Sequence, residues 1–345
     1  MKSVVLTGIR EMKLIDVPAP VIENPNEVLI RMKAVGVCGS DVHYYTTGRI
    51  GSQVVEYPFP VGHEGAGIVE KVGRDVVRVK PGDRIAIEPA MPCYHCDQCQ
   101  SGRFNTCRNL KFLGCPGQAP GCLSEYIVMP ETSCYMVADN LSYDEAAISE
   151  PLTIGVYAVE SSKIRKPQKV GILGYGPIGM SVHLAAKAAG ITEIFVSEKI
   201  PERIQIAEKT GATLAWNPLQ QDLIKSMNKA LPEGLDVIFE CCGQQDALRA
   251  AFELLKPGGM IMIIGIPEFD TWEIPVDLGR RKEITIIHIR RQNESLQQTL
   301  DGISSGLYDV SQMPTHHFPL AETQTAFDLV SDYRDGVMKA IITFG

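Results

Sequence analysis

Four cysteines, Cys93, Cys96, Cys99 and Cys107, crowd into "CYHCDQCQSGRFNTC" with the spacing C-x2-C-x2-C-x7-C. Cysteines at this spacing suit a turn that points thiolates at one ion. Four thiolates close a tetrahedral zinc site and leave no position open, which is the structural rather than the catalytic type. His95 lies inside the run but is not needed as a ligand. A second set is scattered: Cys38 in "VGVCGSDVHYY", His63 and Glu64 in "VGHEGAG", and Glu150 in "ISEPL". Each alone is ambiguous. Together they offer thiolate, imidazole and carboxylate, the donors of a catalytic zinc with a place left for water or substrate. Zinc can take the pKa of bound water from about 15.7 to about 7. For an alcohol, a similar shift is worth roughly 11–12 kcal/mol. A single hydrogen bond supplies only about 1–3 kcal/mol, so the metal would dominate the chemistry.

A third pattern is Gly174, Gly176 and Gly179 in "GYGPIG". The pattern is weak alone, but here it follows an apolar run, "VGIL", and opens an Ala-rich helical stretch through Pro177 and Ile178. That context suits a dinucleotide, with the pyrophosphate on the free N–H groups of a helix start. Glu198 ends the following strand, where a carboxylate can accept from ribose hydroxyls and repel a 2′-phosphate, favouring NAD over NADP. Lys199 and Arg203 stand close enough in sequence to blunt that preference.

The elements that must position these groups fall into two textures. Up to about residue 150, short strands alternate apolar and polar residues, as in 26–37 and 64–73, and the cysteine lobe (about 90–110) reads as an insertion. From 151 to 294 strand and helix take turns: 170–176, 177–190, 193–198, 201–211, 235–243, 260–266 and 284–289. That alternation predicts a Rossmann-type, doubly wound parallel sheet. The tail, 295–345, ends in "MKAIITFG", a strand expected to return to the first half, which makes that domain discontinuous (1–150 and 295–345).

With 345 residues, 45% hydrophobic, the chain is long enough for two cores. A formal charge of −8 argues against a nucleic-acid surface or a basic membrane patch. The opening "MKSVVLTGIREMKLIDVPAP" lacks the apolar core of a secretory signal, and no run approaches the ~20 apolar residues of a membrane span. A cytoplasmic location is expected, where clustered cysteines hold metal more often than disulfides.

The ordered motifs "CGSDVHYY", "GHEGAG", the four-cysteine lobe, "SEPL" and "GYGPIG" resemble those of the zinc-dependent medium-chain alcohol and polyol dehydrogenases, with the closest likeness to the sorbitol (L-iditol) and xylitol branch. The resemblance covers nearly the whole chain. It implies an α/β protein with a Rossmann domain and a GroES-like, β-rich catalytic domain bearing a structural zinc lobe. It implies one catalytic and one structural zinc per subunit, NAD as cofactor, a small polyol or sugar-derived alcohol as substrate, and a homotetramer or homodimer. Carried over by motif, Cys38, His63 and Glu64 are expected as catalytic zinc ligands. Glu150 is expected as an exchangeable fourth ligand or as a carboxylate behind the metal-bound water. Ser40 and His43 are expected as a proton relay by way of the nicotinamide ribose, with Tyr44 and Arg290 at the substrate. The sequence departs from that branch at Arg291, Leu113 and Pro116, so a sugar acid, a polyol phosphate or L-threonine stands as an alternative substrate. A non-catalytic dinucleotide-binding structural protein is a third reading, opposed by the intact ligand set. Cys115, Cys122, Cys134, Cys241, Cys242, His183, His316, His317, Trp216 and Trp272 are read as core, surface or packing residues without a role in the chemistry.

Overall fold

A computed structural model describes residues Met1–Gly345. The chain forms two compact units, one of Met1–Glu150 with Asn293–Gly345, the other of Pro151–Gln292. The return to the first unit comes at Asn293, two residues before the boundary expected from sequence. Its side chain explains the early return: Oδ1 accepts from the amides of Phe104 and Asn105, and Nδ2 donates to the Gly102 carbonyl, all in the cysteine lobe.

The first unit is built on a seven-stranded sheet. Its path runs Cys134–Met136, Arg84–Ile87, Glu64–Val72, Glu27–Gly36, Lys339–Thr343 and Pro314–Pro319, and Tyr126–Pro130 pairs with Glu27–Gly36 off that path. All pairs are antiparallel except the last, Pro314–Pro319 with Lys339–Thr343. Glu27–Gly36 alternates buried and half-buried residues, the period-two pattern of a strand with one wet face. Ile30, Met32, Ile85, Leu123 and Phe327 are fully buried in its core. At Val37 the chain leaves the sheet, and Cys38 in extended geometry caps the helix Gly39–Thr47. Cys38 therefore sits at a strand-to-helix junction, two residues from a strand fixed on both sides.

The second unit is a six-stranded, all-parallel sheet in the order Leu214–Trp216, Ile194–Ser197, Val170–Leu173, Leu235–Glu240, Leu255–Ile263 and Thr285–His288. The four-residue strands at its centre are buried throughout, as a sheet covered on both faces requires. Helix Pro201–Thr210 starts with proline and ends at Gly211 in the left-handed region (φ 103°), as its sequence signals predict. The strand expected over 260–266 instead spans Leu255–Ile263. It stops early because the amides of Ile264 and Gly265 turn to the Glu240 carbonyl. No helix is long and apolar enough to cross a membrane.

Candidate active site and metal centres

The cysteine lobe converges fully. The sulfurs of Cys93, Cys96, Cys99 and Cys107 lie within 4.8 Å of one another. Cys96 Sγ is 3.6 Å from Cys99 Sγ and 3.9 Å from Cys107 Sγ. Tetrahedral ligands about 2.3 Å from zinc sit about 3.8 Å apart, so the donor set fits that ion. Backbone amides prepare it. The His95 amide, then that of Cys96, pulls the Cys93 thiol down to about 6, and the Cys99 and Arg108 amides lower Cys96. Burial pushes Cys99 up to about 12, so that thiol needs a cation to become a thiolate. His95 turns its Nδ1 to the Cys93 carbonyl, 2.6 Å away, and is exposed. A Cys93→Ser variant is expected to hold lobe zinc at least about 10–100-fold more weakly and to melt earlier, with the chemical step little altered. Metal analysis and thermal denaturation check this; a stable variant with a purely kinetic defect would contradict it.

The second set gathers in pairs. The four-cysteine cluster is the only group of three or more potential ligand atoms packed that tightly. The His63 ring is buried, with Nδ1 3.3 Å from Asp41 Oδ1 and the Cys38 sulfur within hydrogen-bonding reach. Asp41 is fully buried and also accepts from the Gly62 amide at 3.2 Å. A carboxylate behind an imidazole fixes its tautomer and directs the other nitrogen to a metal. Ser40 donates to Cys38 Sγ at 3.3 Å. Ser40 and His43, three residues apart, share a face of helix Gly39–Thr47. Glu64 begins the strand paired with Glu27–Gly36, and both of its oxygens are taken by Lys339, at 2.6 and 2.7 Å. Lys339 also donates to the Val37 carbonyl at 3.1 Å. Glu150 is buried and within electrostatic reach of the same lysine, as is Cys38.

Two shifts show the sign of the field there. Burial by itself would discharge His63, but Asp41 and then Cys38 hold its pKa well above the usual value. Burial likewise opposes the Lys339 charge, yet Glu64 and then Cys38 raise its pKa. Cys38, His63, Glu64 and Glu150 offer sulfur, nitrogen and carboxylate donors, a set whose chemistry fits zinc.

Around this cluster the structure supplies residues that sequence reasoning passed over. Leu113 is buried in the core, and the residue before it, Phe112, packs its ring 5.2 Å from that of His63. Next to Pro116, Cys115 is bonded rather than idle. Gln53 Nε2 donates to its sulfur at 2.8 Å, and Tyr44 Oη lies 3.6 Å from it and 3.3 Å from Gln53 Oε1. Nothing in the local sequence marks Gln53 or Cys115, because their partnership depends on a turn 62 residues away.

In the second unit the glycine loop lies where the strand order reverses, between Val170–Leu173 and Leu235–Glu240. Gly174 has φ 91°, and a Cβ on Gly179 would sit 2.1 Å from the Gly174 carbonyl oxygen. Gly176 caps helix Pro177–Ala188, with Pro177 and Ile178 in its first turn. Glu198 is buried; its Oε2 accepts from the Tyr175 amide at 2.6 Å and its Oε1 from the Lys199 and Ile200 amides. Arg203 is buried, with Nη1 3.3 Å from where a Gly176 Cβ would be. Arg290 is exposed just after the edge strand Thr285–His288, and Arg291 adopts φ 56°.

Residues 24–139 match the family model of the alcohol dehydrogenase GroES-like domain, and 177–305 that of the zinc-binding dehydrogenases. Sorbitol dehydrogenase of Bacillus subtilis is 36% identical over 99% of this chain and 97% of its own. L-idonate 5-dehydrogenase of Vitis vinifera is 34% identical over 92% of this chain and 87% of its own. An alcohol dehydrogenase of Escherichia coli, solved in complex with NADH, superposes with a TM-score of 0.92 at 27% identity, covering 100% of this chain and 99% of that one.

Proposed function

Because the chain belongs to the zinc-dependent medium-chain alcohol and polyol dehydrogenases, we propose that it oxidises a secondary hydroxyl of a polyol or sugar alcohol to the ketone, passing hydride to a nicotinamide dinucleotide. The observation that carries this reading is the buried Asp41–His63 pair beside Cys38, with the Ser40 hydroxyl on the Cys38 sulfur.

Cys38 and His63 would hold a catalytic zinc together with a carboxylate from Glu64 or Glu150. The grip of Lys339 on both Glu64 oxygens favours Glu150 as the one in contact. Zinc held there supplies Lewis acidity, which makes a secondary hydroxyl acidic enough to deprotonate near neutral pH. As Ser40 Oγ takes that proton it would give up its own, by way of the nicotinamide ribose, to His43 on the same helix face, which would release one to solvent. Asp41 keeps His63 oriented, and Phe112 shields the ring from water. Tyr44, set by Gln53 and Cys115, lines the substrate side, with Arg290 as a further substrate contact. The second zinc, in the cysteine lobe, is structural.

Gly174, Gly176, Pro177, Ile178 and Gly179 form the pyrophosphate cradle. Glu198 places a buried negative charge where a 2′-phosphate would sit, so NAD is the preferred dinucleotide, with Arg203 softening the discrimination. The protein works in the cytoplasm, consistent with ten unbridged cysteines. It assembles as a homodimer or homotetramer, consistent with the edge strand Thr285–His288, paired on one side only.

Arg291 and the likeness to L-idonate 5-dehydrogenase favour a second reading, a sugar-acid alcohol, since a guanidinium fork matches a carboxylate. A panel of sorbitol, xylitol, L-idonate, a polyol phosphate and L-threonine, followed at 340 nm with NAD and NADP, separates them. The polyol reading expects sorbitol or xylitol to give the highest kcat/KM. Turnover confined to L-idonate selects the second, and no turnover with any alcohol refutes both.

A further inference from the structure

Tyr175 lies between Gly174 and Gly176, the two most permissive positions of the loop, yet its side chain is wholly buried. Its hydroxyl is 2.8 Å from Nδ1 of His183, also wholly buried, with the rings edge-on at 5.7 Å. The opposite nitrogen, Nε2, is buried with no hydrogen-bond partner, so the contact with Tyr175 is the one hydrogen bond this buried ring makes. Burial, then Lys187, holds His183 down to about 3, so the ring stays neutral.

We propose that the His183–Tyr175 bond is a positioning device, which ties the glycine loop to the helix Pro177–Ala188 that follows it and so sets dinucleotide affinity. Glu198 holds the Tyr175 amide, and this bond holds the other end of the same residue. The loop is then ordered before the ligand arrives, and the ligand need not supply that ordering. His183 and Tyr175 touch neither substrate nor reacting atoms; they act through the loop.

The proposal rests on the reading of "GYGPIG" as a dinucleotide site, and the wild-type protein tests that reading by binding NADH in a fluorescence titration. Failure there removes both. Given wild-type binding, Tyr175→Phe and His183→Leu are each expected to weaken NADH about five- to tenfold, the equivalent of one lost hydrogen bond. His183→Leu should raise KM for the dinucleotide while kcat at saturation holds. His183→Asn, whose amide can donate or accept where Nδ1 stood, is expected to recover most of the affinity. Circular dichroism and thermal denaturation of each variant guard against a folding artefact. Unchanged NADH affinity in folded Tyr175→Phe and His183→Leu would overturn the proposal.

Discussion

Replacing His63 with alanine is expected to lower kcat by at least about a thousandfold, the effect of losing about 4 kcal/mol of transition-state stabilisation. One zinc per chain should leave with it, while NADH still binds. The reason is positional. The ring is buried against Asp41 and beside Cys38. Cys38→Ser should behave alike. Asp41→Asn is expected to be milder, about 10–100-fold, because it removes the orienting carboxylate and leaves the ligand. Metal analysis beside steady-state assays decides the matter. A metal-depleted His63→Ala enzyme with near-normal kcat would end the proposed mechanism.

The second large effect concerns stability. Lys339→Met is expected to destabilise the first unit by roughly 3–5 kcal/mol, since it leaves the Glu64 carboxylate buried without its counter-charge. Pairing it with Glu64→Gln should recover part of the loss, because the stranded charge is removed as well. Thermal denaturation of the two single variants and the double variant gives the coupling. Additive losses would mean that the contact at 2.6 Å carries no net energy. If Glu64 bound zinc in place of Lys339, the single lysine change would instead leave stability intact while zinc is present.

The glycine loop was legible in the sequence because its requirements are local. A tight turn, a close approach and a helix start are all encoded within six residues, Gly174 to Gly179. The four-cysteine lobe was legible for the same reason. Strands announced themselves by period, although Leu255–Ile263 begins with "LKPGG", which reads as a turn. What stayed hidden is pairing across distance. Tyr175 and His183 are eight residues apart but belong to different patterns, one a glycine loop and the other an apolar helix face. Gln53 with Cys115, and Asn293 with Gly102, leave no periodic trace at all. Lys339 did leave a signal, a lone charge opening the apolar strand "KAIIT", and a buried charge demands a partner. The pattern could not say that the partner would be Glu64.

That partnership spans 275 residues. During synthesis, the whole of Pro151–Gln292 leaves the ribosome before Lys339 does, and its parallel sheet draws no strand from either flank. The buried Glu64 carboxylate beside Cys38 and His63 must therefore wait for its counter-charge until Lys339–Thr343 arrives to lie against Glu27–Gly36. Completion of the first unit is thereby ordered in time: a nascent chain can finish its parallel sheet before Glu64 meets its lysine.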